Sequence, residues 1–251
     1  MLFPLRYYGW GLAKPPYAAE FRGLLERWQQ FTRNVIYGDY SVWMRSFNGA
    51  IVPPARDILK LEVPTAGDLG YQGVSMVGIG AWGYGGPTNY VYARQTWDHT
   101  IDVDATLDEW YQRAYGPGWR SMRELFEMVE ARLVEWKRRE KLDYFGYQYE
   151  VNYELIEFVH KPILADIERL YRAALAAAET DAQRQRIEML GANLIQLHHD
   201  MRQAGMIADN EDSIFYRTEE QYQQFLAEQR NSIALDPALG RYPIWHGEWS
   251  G

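Results

Sequence analysis

The feature that most constrains this chain is a long region of helical periodicity in its second half. From about residue 104 to residue 230 the sequence is rich in Ala, Glu, Arg, Gln and Leu. Between Trp119 and about Lys141, apolar residues recur every three or four positions, as Met122, Leu125, Phe126, Val129, Leu133 and Trp136. This spacing is typical of amphipathic helices. The region therefore predicts an all-helical unit without strands.

Capping and helix-breaking residues divide this region into separate helices. Asp104 is a plausible N-cap for a helix that ends near Ala114, and Gly116-Pro117-Gly118 breaks it. A further helix begins near Asn152 and is interrupted or restarted at Pro162. The remaining helices are predicted at 163–178, at 181–204 with a turn at Thr180-Asp181, and at 218–230.

The first hundred residues follow a different pattern, with most of the glycines and prolines. An amphipathic helix is predicted at 17–32, a short helix at 55–61, and buried strands at 34–40 and 73–80. The strands carry apolar runs and have a helix between them. This order predicts two parallel neighbours joined by a right-handed connection.

Composition excludes several classes of function. The formal net charge of −8 argues against nucleic acid and anionic membranes as partners. No apolar run reaches the ~18 residues that span a bilayer, and Met1 to Trp10 lacks the long apolar stretch expected of a signal peptide. The absence of cysteine excludes disulfides and thiolate zinc sites. Aromatic residues make up 15% of the chain, and in clefts Trp and Tyr stack on flat ligands and on sugar faces.

Several short motifs agree in order with one family. They are Asn89-Tyr90-Val91-Tyr92-Ala93-Arg94, Trp97-Asp98, Asp102-Val103-Asp104, Tyr115-Gly116-Pro117 and Lys161-Pro162-Ile163-Leu164. Over roughly residues 20–200 the chain resembles the bacterial domain-of-unknown-function 4838 family, which is similar to α-glucuronidase-like TIM-barrel glycoside hydrolases.

The resemblance implies a fold and a division of the chain. Residues 1–103 would form the C-terminal part of a (β/α)8 TIM barrel, with about two βα units, and residues 104–251 a helical C-terminal domain. Because a barrel needs eight strands, the missing N-terminal part of the same protein would be a partner. The resemblance favours an extracellular or periplasmic location.

Asp39 is the candidate catalytic residue, because it ends the first predicted strand. Glycosidases use a pair of carboxyl groups, which in a barrel project from the strand ends. Tyr37, Tyr40 and Trp43 are candidates for a sugar subsite. The alternative is that Asp39 caps the loop after the strand. No carboxylate ends the second strand, so we expect weak sugar binding and poor hydrolysis. Asp57, Glu62 and Asp68 are the first candidates for a missed second carboxylate.

A glycine-rich segment after the second predicted strand is the other candidate binding element. It runs from Trp82 to Asn89 and lacks the residues of a phosphate-binding loop. Trp82, Tyr84 and Asn89 are candidates for substrate binding. The alternative is a tight turn that only starts a helix at Thr88.

The remaining polar candidates give weaker indications of function. Arg94 and Arg45 could grip a uronate carboxylate, but an ion pair of Arg94 with Asp98 or Asp102 is favoured. Adjacent residues point about 100° apart on a helix, so His198-His199-Asp200 does not predict a metal site. No metal and no cofactor are expected.

The sequence therefore predicts a carbohydrate-active, glycoside-hydrolase-like protein that acts on a polysaccharide or glycoside, with uronate-bearing glycans among the candidates. Two alternatives stay open: a non-catalytic carbohydrate-binding module, and a structural helical interaction module whose aromatic residues are core.

Overall fold

A computed structural model describes residues 15–40, 54–77, 82–139 and 153–229. Within them the helices are α1 (Pro15–Gln29), α2 (Arg56–Leu59), α3 (Glu62–Asp68), α4 (Trp82–Trp97), α5 (Val103–Tyr115), α6 (Trp119–Arg139), α7 (Tyr153–Val159), α8 (Leu164–Ala177), α9 (Asp181–Gln203) and α10 (Glu219–Gln229). The strands are β1 (Ile36–Tyr40) and β2 (Gly73–Val77). Single 3-10 turns lie at Gly116–Gly118 and Lys161–Ile163.

The two strands pair in parallel, as predicted. Ile36 lies opposite Gly73, and Tyr40 lies opposite Val77. The helices α2 and α3 connect the strands, so the predicted helix at 55–61 is followed by a second helix that the sequence pattern did not indicate.

The expected barrel portion with βα units is wrong, because the described chain is an all-α fold with one short strand pair. Barrel strands are covered by apolar side chains on both faces. Here the pair has five residues in each strand, and Ile36 and Ser75 are exposed. Helices supply most of the main core.

That core is continuous across the predicted boundary at 103/104. One cluster of buried side chains runs from Phe21 in α1 to Phe215 ahead of α10, and it includes residues on both sides of the boundary. The stripe of α6 is buried throughout. On α1 the buried face stops at Leu25, while Trp28 is 45% exposed and Phe31, beyond the helix end, is 82% exposed.

The N-cap of α5 lies two residues before the predicted one. Asp102, not Asp104, is the N-cap, because its backbone is extended and its side chain accepts a hydrogen bond from the Ala105 amide at 3.0 Å. The carboxylate of Asp104 instead lies 2.7 Å from the Lys60 ammonium.

The other predicted boundaries in the helical region agree with the structure. The break at Gly116-Pro117-Gly118 is a 3-10 turn between α5 and α6. Thr180 begins α9 with a capping box, in which its side chain and that of Gln183 each accept a hydrogen bond from the other's backbone amide. No strand occurs in residues 104–139 or 153–229.

Candidate functional site

The carboxyl edge of the strand pair is the part of the fold in which the sequence places the candidate site. We use this name for the ends of β1 and β2, at Tyr40 and Val77, together with the start of α4 at Trp82. The register puts Asp39 opposite Met76 and Tyr40 opposite Val77. Four residues lie between Val77 and Trp82, so their Cα atoms are at most ~18 Å apart. The parallel pairing therefore brings the backbones of Asp39 and Tyr40 to the edge from which the chain enters α4.

Two candidates lie on one face of α4. Trp82 is 40% exposed at the first position of the helix, and Asn89 is half-buried. A separation of seven residues returns to the same face after two turns, about 10.5 Å along the axis. An exposed indole can stack on one sugar ring, and an amide two turns away can hydrogen-bond a hydroxyl group of a neighbouring ring.

Two other candidates are buried side chains. Tyr37 is fully buried, and its ring meets that of Phe21 edge to face with centroids 5.7 Å apart. Tyr84 is 3% exposed in the main core. Neither residue faces an open cleft, so the sugar contacts predicted for them have no support from the geometry. Burial of an aromatic ring in a core is the ordinary alternative for such residues.

The rest of the predicted site lies outside the described residues. The backbones of Asp39 and Tyr40 belong to β1, whereas their side chains are outside the description, and so is the whole of Trp43. The catalytic assignment of Asp39 and the binding assignments of Tyr40 and Trp43 stay predictions.

The predicted glycine-rich loop is the first part of a helix. Helix α4 begins at Trp82 rather than at Thr88, and it contains Pro87. A Cβ atom on Gly83 would overlap with the Met189 carbonyl group and the Asn193 side chain of α9. The glycine thus permits close packing of two helices, which outweighs its low helix propensity.

The other candidate carboxylates have partners or lie elsewhere. Glu62 is 2% exposed and accepts a hydrogen bond of 2.8 Å from the Tyr92 hydroxyl. Asp68 lies 3.4 Å from the Nε2 atom of His99 and precedes β2, at the amino end of the strand. Asp57 is exposed in α2.

Arg94 has the structural role that the sequence favoured, although with another partner. Its guanidinium lies 3.2 Å from Glu109 and donates a 3.0 Å hydrogen bond to the Tyr90 hydroxyl. The ion pair therefore links α4 to α5 rather than to Asp98 or Asp102.

A polar groove of about 490 Å³ opens on the opposite side of the strand pair. Its lining includes Gln30 and Arg33 after α1, and Gln72 immediately before β2. None of the predicted site residues whose side chains are described contributes to it.

Two further searches concern metal binding and membrane spans. Among the described residues no group of three or more His, Asp or Glu side chains is arranged to hold a metal ion. In the same part of the chain, no helix combines the length and the apolar character needed to cross a membrane.

No protein-family model, curated protein or solved structure matches this chain.

Proposed function

We propose that this chain recognises carbohydrate at the carboxyl edge of its strand pair. The observation that carries the proposal is the parallel register, in which Asp39 and Tyr40 end β1 beside the segment that leads to the exposed Trp82. Ligands of sheets with parallel strands commonly bind beyond the carboxyl ends of the strands. An exposed indole and a carboxylate are residue types that suit a sugar, which has an apolar face and a rim of hydroxyl groups.

The proposal is one of recognition, and the substrate class is a glycoside or polysaccharide. Glycoside hydrolysis requires a second carboxyl group about 5 to 10 Å from the first. The structure does not identify a second carboxyl group among Asp57, Glu62 and Asp68. Glu62 is hydrogen-bonded to Tyr92, and Asp68 faces His99. The proposal does not require a uronate on the glycan. Arg94 was a candidate to bind a uronate carboxylate, but its guanidinium is paired with Glu109.

The test is a calorimetric binding titration with xylo- and gluco-oligosaccharides, both neutral and glucuronate-bearing. We expect Trp82→Ala to weaken binding about tenfold, which corresponds to ~1.4 kcal/mol of lost stacking. Asp39→Asn should also weaken binding, because a carboxylate accepts stronger hydrogen bonds from hydroxyl groups than an amide does.

Trp97→Ala is the matched control. Trp97 is 92% exposed at the other end of α4, about 22 Å from Trp82 along the axis, and its replacement should leave binding unchanged. Equal losses in both tryptophan variants would contradict a defined site. Loss of binding in Gln30→Ala but not in Trp82→Ala would move the site to the polar groove. If no oligosaccharide binds, the exposed pair of Trp28 and Phe31 favours the interaction-module alternative.

A further inference from the structure

Asp200, near the C-terminal end of α9, is a half-buried residue with one carboxyl oxygen turned away from solvent. Its Oδ2 atom is shielded from solvent and has no hydrogen-bond partner among the described residues. Transfer of an unpaired carboxylate out of water is costly, so burial favours the neutral acid. Burial raises the pKa of Asp200 to about 7.

Helix α10 packs beside this group through few contacts. The ring of Tyr222 stacks on His199, with centroids 3.6 Å apart and planes 10° from parallel. Tyr222 and Phe225 form a small apolar cluster with Ala192 of α9, and this cluster is separate from the main core. The position of α10 therefore depends on a small interface that includes the neighbour of Asp200 in sequence.

The titratable groups that face Asp200 come from two neighbouring helices. Tyr153 of α7 and Tyr222 of α10 are both close enough for the Asp200 charge to act on them. Burial is the larger cause of the raised pKa of each phenol, and the Asp200 charge adds to it. Glu219 of α10 adds a second negative charge, 3.9 Å from the Nε2 atom of His199. Burial lowers the pKa of His199, so its imidazole is largely neutral at pH 7. In the described part of the chain, no cationic side chain offsets an ionised Asp200.

We propose that Asp200 is a proton-controlled latch for α10, which docks while the carboxyl group is protonated and loosens when the proton is lost. The sign follows from the two states of the chain. When α10 is undocked, Asp200 is solvated and ionises near its ordinary pKa of ~3.9. Because the docked state holds the proton to higher pH, docking weakens as the pH rises from about 4 to 7 and stays weak above that.

The test uses spin labels on the full chain, which contains no cysteine of its own. Cysteines replace Ala173 of α8 and Ala227 of α10, both exposed, and the distance between the labels is measured from pH 5 to pH 9. We expect one narrow distribution at pH 5 and a broad one at pH 9, with the change complete by about pH 7.

Three variants identify the group responsible. Asp200→Asn and Asp200→Leu cannot lose a proton, so in each the distribution should stay the same from pH 5 to pH 9. Asn conserves the shape of the side chain, and Leu avoids a new buried amide. Glu188→Gln removes an exposed carboxylate from the same helix and should leave the transition unchanged. A distribution in the parent that does not change with pH would overturn the proposal. So would a transition that survives in both Asp200 variants.

Discussion

At the scale of single residues, partly buried ion pairs carry the clearest energetic consequences. The guanidinium of Arg56 lies 2.8 Å from Glu127 and 3.1 Å from Glu130, and its backbone amide donates a hydrogen bond to Glu130. Burial raises the pKa of Glu130, and Arg56 opposes that effect. Arg56 thus allows α6 to keep a charged group at the edge of the core.

We expect Arg56→Gln to reduce the free energy of unfolding by about 3 kcal/mol at pH 8, because it leaves Glu130 with an uncompensated charge. The loss should shrink below pH 4, where Glu130 is protonated in the unfolded chain as well. Urea denaturation at both pH values measures it. Arg22→Gln breaks an exposed pair with Glu26 and should cost no more than ~0.5 kcal/mol. A similar loss in both variants would mean that burial does not matter here.

At the scale of elements, the contact between α4 and α9 corrects the prediction of a glycine-rich loop. Gly and Pro have low helix propensity, and the run from Gly83 to Pro87 therefore predicted an irregular loop. In the fold, Gly83 lies against the backbone of Met189, and Gly86 lies against the Trp110 ring. The packing of neighbouring helices, which local spacing does not contain, decides the conformation of this segment.

Gly83→Ala should destabilise the chain by about 1–3 kcal/mol, since the added methyl group meets a rigid backbone. Gly23→Ala is the matched control, because the nearest atom to its new Cβ is 3.5 Å away on the Arg27 side chain. That control should stabilise the chain by ~0.5–1 kcal/mol through higher helix propensity. Chemical denaturation of both variants gives the comparison. Stabilisation by Gly83→Ala would indicate that α4 and α9 pack less closely than described.

At the scale of the whole molecule, the continuous core argues for cooperative unfolding. Side chains of α1 and of α6 to α9 belong to one buried cluster that crosses the predicted domain boundary. Two parts that share a core lose their packing together.

We therefore expect tryptophan fluorescence and far-UV circular dichroism to report coincident urea transitions. Trp28, Trp82 and Trp97 lie before residue 104, and Trp110, Trp119 and Trp136 lie after it, so fluorescence samples both parts. Single-tryptophan variants that retain either Trp82 or Trp136 would separate the two signals. Midpoints that differ between these variants would support two independent domains at 1–103 and 104–251.

The sequence alone determined the properties that depend on local spacing. The stripe of α6, the break at Gly116-Pro117-Gly118, the turn at Thr180-Asp181 and the parallel pairing of the strands followed from periodicity, turn residues and chain connectivity. The first three patterns involve residues close in sequence, whose geometry is set by the backbone itself. The strand pairing followed instead from the helical connection between the two strands.

Only the tertiary structure decided the rest. It replaced the expected barrel portion with an all-α fold, buried Tyr37 and Tyr84 in the core, and exposed Trp82. It also shielded the Oδ2 atom of Asp200 from solvent, although the sequence shows this residue only as one of three adjacent polar side chains. Burial depends on which distant elements pack against a residue, and that information lies in long-range contacts rather than in local pattern.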